Sequence, residues 1–253
     1  MFELLSILIP FLIVHIIFDF YLQPASWIED KKHRTYKSPK LYIHSILHGL
    51  ALIIPAILLG INITSIICLV SVVSVSHFVI DLWKVKAKRG EHISHFLIDQ
   101  VLHVIVLTAI AFHIAKGVSL NDFISHENFE YFLIVTFGYL LILKPTSIVI
   151  SGVLKKYPIT DKNSTGTEAN GLISGGELIG YLERILILTF TLIGAYSAIG
   201  FVMAAKSIFR FGELSKSEDR SMTEYVLIGS LLSVAITTII GVLIIQAFTI
   251  IKN

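Results

Sequence analysis

Runs of about 20 apolar residues, the length a helix needs to cross a bilayer, recur along this chain and leave it few folds to choose from. They read from Glu3 to Gln23, Tyr42 to Leu59, Ile61 to Trp83, Ile93 to Ala115, Tyr131 to Leu154, Leu178 to Ala205 and Glu224 to Ile251. The expected fold is therefore all-α, a polytopic integral-membrane helical bundle of about seven transmembrane helices. A chain that is 55% hydrophobic and only 15% charged fits no soluble class. Lys144 and Pro145 interrupt the fifth run, where a kink is expected.

The opening stretch, MFELLSILIPFLIVHIIFDFYLQ, has no basic segment before its apolar run and no small-residue cleavage site, so it reads as a retained helix rather than a signal peptide. One cysteine, Cys68, rules out an intrachain disulfide and a thiolate metal cluster. A net charge of +2, with the basic residues confined to loops, argues against nucleic acid as a partner.

Those loops orient the first half by the positive-inside rule. Lys31, Lys32, Arg34, Lys37 and Lys40 follow the first run, and Lys84, Lys86, Lys88 and Arg89 follow the third. The opposite link near Asn62 has no Lys or Arg, and the one after the fourth run has only Lys116. The basic loops should face the cytoplasm of a bacterial inner membrane. The second half obeys the rule less well: Lys155, Lys156 and Lys162 fall on the cytoplasmic side, but Lys206, Arg210, Lys216 and Arg220 fall outside if seven runs cross. Either Lys206 to Phe211 is an interfacial helix or one late run does not cross.

Four of the apolar runs each carry an i, i+4 pair of His or Asp: His15 with Asp19, His44 with His48, His77 with Asp81, and Asp99 with His103. Residues four apart share one helix face, so each pair is a two-pronged set of ligands. The pairs lie alternately near the C-terminal and N-terminal ends of successive helices. In helices that run up and down, all eight side chains then fall in one layer near the cytoplasmic side.

Imidazole and carboxylate bind first-row divalent cations, zinc above all. Eight ligands exceed what one tetrahedral ion needs, which suggests two ions, or one ion with the rest as supporting and acid/base groups. Asp19, Asp81 and Asp99 are the candidate bridging or general-base carboxylates. Lys84, three residues after Asp81, is in register with the site and suited to a phosphate. Gln23 and His95 extend the stripes as secondary residues; Gln100, also secondary, neighbours Asp99 and should point elsewhere. The other basic residues of the loops, Lys31 among them, read as topology determinants.

Against this stand two plainer readings. A His or Asp in a membrane helix can simply hydrogen-bond to a neighbouring helix, and a buried row of such groups can relay protons without a metal. Ionisable groups cost roughly 2.5 kcal/mol or more in hydrocarbon, so four co-layered pairs point to function.

A boundary near Asn121 to Asn128 divides a four-helix unit, residues 1–120, from a second unit of about three helices, residues 121–253. The second half has no His pair. Gly171, Gly175, Gly176 and Gly180 precede Glu183 and Arg184 there; Gly176 with Gly180 has the small-xxx-small spacing of close helix contact, and Lys206, Arg210 and Glu213 can share a helix face.

HIIFDFYLQ, HSILHG, HFVIDLWK and HFLIDQVLH, in this order and with a Lys-containing loop after the first, resemble the signature of a bacterial domain-of-unknown-function family of membrane proteins, one sometimes encoded beside a SatD-type regulator. IGYLERILIL, AAKSIFRF and EYVLIGSLLS resemble the C-terminal extension of its long members. The resemblance implies a membrane fold and no activity. A fainter likeness is to the YdjM-like membrane-bound metal-dependent hydrolases, from which HSILHG departs. The expected function is a metal-dependent hydrolase acting on membrane lipid, as a lipid or lipid-linked phosphate or ester; the alternatives are a divalent-metal transporter and a metal-stabilised sensor or scaffold.

Overall fold

A computed structural model describes residues 2–87, 92–115, 127–155, 168–214 and 220–252, which form helices and turns with no strand among them. Lys88, Arg89, Lys116, Asn121, Lys156, Lys162 and Lys216 lie outside the described residues, as do the side chains of Asn128, Gly171, Gly175, Arg210, Glu213 and Arg220. The chain divides into two compact units, Met1–Phe137 and Gly138–Asn253.

The first unit opens with α1, Phe2–Ile16, which continues through a π-helical turn, Ile17–Tyr21. After it come α2 (Ala25–Arg34), a 3-10 turn (Thr35–Lys37), α3 (Pro39–Ala51), α4 (Ile53–Leu58), α5 (Ile63–Lys86), α6 (Ile93–Ala115) and the start of α7 (Glu127–Ile142). Local chemistry sets several of these limits. Pro39 begins α3, and the Ser38 hydroxyl accepts the N–H of Leu41 at 3.3 Å. Asn62 does the same for Ser65 at 2.9 Å at the start of α5. Pro55 has no N–H to give the carbonyl of Ala51, and there the second span breaks into α3 and α4.

Helix α3 packs on α5, α5 on α6, α6 on α1 and α1 on α3, a closed ring of four. Between bilayer tails and Leu side chains there is no difference in polarity to drive this, so close packing must hold the ring together. Gly49 makes the α3–α5 contact possible, because a Cβ there would lie 2.1 Å from Ser74 Oγ and 2.6 Å from the carbonyl of Val70. The apolar half of the ring is filled by Ile7, Phe11, Leu52, Ala56, Leu69 and Ala111, all essentially buried. Helix α2 and the 3-10 turn lie against α3 and α5 at the other end.

Among the described residues, six helical stretches are long and apolar enough to cross a membrane: Leu4–Tyr21, Pro39–Leu58, Ile63–Lys86, Ile93–Ala115, Phe129–Leu154 and Glu224–Ile250. The chain is a multi-pass membrane protein. The run from Leu178 to Ala205, expected as a single span, is not one helix. Helix α9 (Glu168–Leu192) ends where Gly194 turns to φ 74°, and the Ala195 N–H bonds back to Phe190 O at 2.8 Å. That left-handed residue and back-bond form a Schellman stop. Helix α10 (Tyr196–Leu214) then returns against α9, and Lys206 to Phe211 simply continues it.

In the second unit α8 (Lys144–Leu154) and α9 both pack on α11 (Arg220–Lys252). The break between α7 and α8 falls at Leu143, beside Lys144 and Pro145. Among the described residues Gly176 and Gly180 make no close helix contact: a Cβ on Gly176 would meet nothing within 4 Å, and one on Gly180 only the Arg184 side chain of its own helix. Gly241 fills that role instead, with Thr191 Cγ2 2.6 Å from where its Cβ would be. Arg184 is buried and donates to Ser147 Oγ at 2.7 Å, while Lys206 pairs with Glu183.

Candidate metal centre

The four helices of the ring bring the paired residues into one cluster. His15 comes from the end of α1, Asp19 from the π-helical turn, His44 and His48 from α3, His77 and Asp81 from α5, and Asp99 and His103 from α6. The imidazoles lie ring to ring: His48 to His77 at 3.7 Å between centroids, His77 to His103 at 4.0 Å, His44 to His48 at 4.5 Å and His15 to His103 at 5.1 Å. All five histidines are at most 5% exposed, and Asp99 is 1% exposed.

Asp19 is the centre of one group. Its Oδ1 lies 3.0 Å from His48 Nε2, 3.1 Å from His44 Nε2 and 3.5 Å from His77 Nε2, while Oδ2 is 3.6 Å from His15 Nε2. The ligand atoms of His15, Asp19, His48 and His77 fall within 4.8 Å of one another. Those of His77, Asp81 and His103 do the same. Among the described residues the Nε2 atoms of His48 and His77 are buried and make no well-aligned hydrogen bond, although both face Asp19 Oδ1. Buried polar nitrogens are seldom left so, and lone pairs converging on one point are what a cation needs. The donor set of three imidazoles and a carboxylate fits zinc. Beside it a small cavity, lined by His15, His48, His77 and His103 and by Leu52, Val73 and Leu107 toward the apolar core, has room for about one water molecule.

The other two carboxylates each hold an ammonium. Lys31 Nζ donates to Asp81 Oδ2 at 2.6 Å and Lys84 Nζ to Asp99 Oδ2 at 2.6 Å. Among the described contacts Asp19 has no such partner, only imidazoles and the Gln100 amide. A divalent cation would supply the missing counter-charge.

Several assignments change. Gln100 does not point elsewhere: its Nε2 donates to Asp19 Oδ2 at 3.0 Å and Asp99 Oδ2 at 3.1 Å, and its Oε1 is 3.4 Å from His15 Nε2. The π-helical turn and the packing of α1 on α6 bring Asp19 to it. Lys31 is no mere topology determinant, being 5% exposed and inside the cluster. Its place in the basic loop after the first span did not set it apart from its neighbours in the sequence. Gln23 reaches His44, with Nε2 3.0 Å from the ring Nε2. His95 stacks on Trp83 at 5.8 Å rather than joining the other histidines. His44 and Asp99 touch the cluster but stand outside the two tight ligand groups.

Residues 7–130 match the family model described as Protein of unknown function (DUF3307), a segment that holds every member of the cluster. No curated protein and no solved structure matches the chain.

Proposed function

We propose that the chain, whose residues 7–130 belong to this family of unknown function, is a membrane-embedded metal-dependent hydrolase acting on a lipid or lipid-linked phosphate or ester from the cytoplasmic side of the inner membrane. The observation that carries the reading is the buried group of His15, Asp19, His48 and His77, with ligand atoms within 4.8 Å and two imidazole nitrogens that no well-aligned hydrogen bond occupies.

A cation held there, zinc first among the candidates, supplies a bound water of near-neutral pKa and a Lewis acid for a phosphoryl or acyl oxygen. The residues do the rest. Asp19 neutralises the ion and sets its place among the rings, and Gln100 holds the second oxygen of Asp19. Asp81 and Asp99 stand next to the group, each held in place by a lysine ammonium. Lys84, whose side chain is 28% exposed at the rim, can meet an anionic headgroup. The small cavity beside the histidines leaves space for a reacting water, as a catalytic rather than a purely structural site requires.

A transporter for the same cation is the competing reading, and the packing beneath the layer speaks against it. Transport sites sit near the midplane with access from both sides, whereas here Phe11, Leu52, Ala56, Leu69 and Ala111 close the ring below the histidines. The basic loops of the first half favour a cytoplasmic site.

Protein purified in detergent should contain zinc or another divalent ion by elemental analysis, and His48→Ala and Asp19→Asn should each lower that content at least tenfold. The same protein should release phosphate or fatty acid from a membrane-lipid extract, and the two variants should not. Full metal content in both variants would sink the reading. Metal uptake into proteoliposomes without any hydrolysis would move it to transport.

A further inference from the structure

The cluster contains a second arrangement of ligands that the group around Asp19 does not use. His77 stands between the two: its Nε2 faces Asp19 Oδ1 at 3.5 Å, and its Nδ1 faces the ring of His103, 3.0 Å from His103 Nε2. On that second side His103 Nε2 also lies 3.6 Å from Asp81 Oδ1 and 3.7 Å from Asp99 Oδ1. Ligands of one tetrahedral ion, bound at about 2.0–2.1 Å, stand about 3.3 Å apart, so these spacings suit a shared cation.

The two carboxylates are set up alike. In each, Oδ2 is taken by a lysine ammonium at 2.6 Å, Lys31 for Asp81 and Lys84 for Asp99, and Oδ1 is left facing His103. Asp99 Oδ1 is buried and has no well-aligned hydrogen-bond partner among the described residues. A buried carboxylate oxygen without a donor is costly unless something positive occupies the space before it. The lysines cannot be that positive group, because their geometry commits them to the outer oxygens.

We infer that the layer holds a second cation in a seat of its own, formed by His103 Nε2, His77 Nδ1 and Asp81 Oδ1, with Lys31 as the positioning residue that fixes the outer oxygen of Asp81 and with Asp99 Oδ1 beside His103. The inference rests on the reading that the Asp19 group binds metal, and it makes His77 the link between two ions. Ligation through both ring nitrogens requires that imidazole to release its remaining N–H proton to solvent. With a carboxylate as one of three ligands rather than one of four, this seat is somewhat harder than the first and accepts Mn(II) or Fe(II) as well as zinc. Supporting groups that orient a ligand commonly change metal affinity by 10- to 100-fold, roughly, when removed.

The test uses the full chain in detergent, stripped with chelator and titrated with Mn(II), read by bound metal per chain and by electron paramagnetic resonance. Two equivalents and a spin-coupled pair signal are expected. Asp81→Asn and Lys31→Met should each weaken the second equivalent at least tenfold, abolish the pair signal and leave the first equivalent in place, and Lys31→Arg should restore part of both. A single equivalent in the unaltered protein, or a second one indifferent to Asp81→Asn, overturns the second seat while the first stands. Because the unaltered protein alone gives the stoichiometry and the coupling, a variant that fails to fold does not blunt the test. No binding at all would overturn both the seat and the reading on which it rests.

Discussion

An ammonium group at 5% exposure, such as that of Lys31, is tolerable only while its carboxylate stays beside it. Removing one partner of a buried pair strands the other, at a cost of about 3–5 kcal/mol, whereas replacing both by apolar groups is often neutral. In metal-free protein Lys31→Met should therefore lower the thermal midpoint strongly, and Lys31→Met combined with Asp81→Leu should recover most of the loss. Equal midpoints for the single and double variants would mean that the 2.6 Å contact carries no buried ionic energy. Asp19 behaves differently, since imidazoles and an amide surround it with no ammonium among the described contacts. The eight paired His and Asp residues could be picked out from spacing because i, i+4 geometry is a property of the helix itself. Gln100 could not, because a position adjacent to Asp99 on the helix gives no hint that α1 presents Asp19 to it.

Among the elements, the π-helical turn at Ile17–Tyr21 matters most to the site. It admits an extra residue, the Leu22 N–H reaching Ile17 O at 2.9 Å, and such bulges recur where a helix has to aim a functional side chain. A run of apolar residues predicts the helix but not this change of pitch. Helices α3 and α5 depend on Gly49. Gly49→Ala would put a methyl group 2.1 Å from Ser74 Oγ and 2.6 Å from a carbonyl, which overpacks the contact by about 1–3 kcal/mol. Gly200→Ala, with nothing within 4 Å of its Cβ, should be neutral or stabilise α10 by up to about 1 kcal/mol. Thermal unfolding of the two variants in detergent checks the pair, and a Gly49→Ala protein as stable as Gly200→Ala would refute the close approach. Small-residue spacing alone pointed to Gly176 and Gly180, because the sequence does not say which helix face has a neighbour.

For the whole molecule, the reading places the basic loops and the metal layer on the cytoplasmic side. With Cys68 replaced by Ser, a cysteine at exposed Lys37 should react with a membrane-impermeant maleimide only after cells are opened, and one at exposed Thr64 should react in intact cells. The reverse pattern would put the site on the other face. What the sequence determined by itself is whatever depends on neighbours along the chain: the apolar runs, the paired His and Asp residues, and the break at Lys144 and Pro145. Even there Gly194 stayed hidden, since a helix stop inside an apolar run rests on one backbone angle rather than on hydropathy. Only the tertiary structure decided which atoms meet. Lys31 and Asp81 are fifty positions apart, and no local rule joins them; packing of α2 on α3 and α5 does, because a charge buried among those helices has to find its counter-charge there.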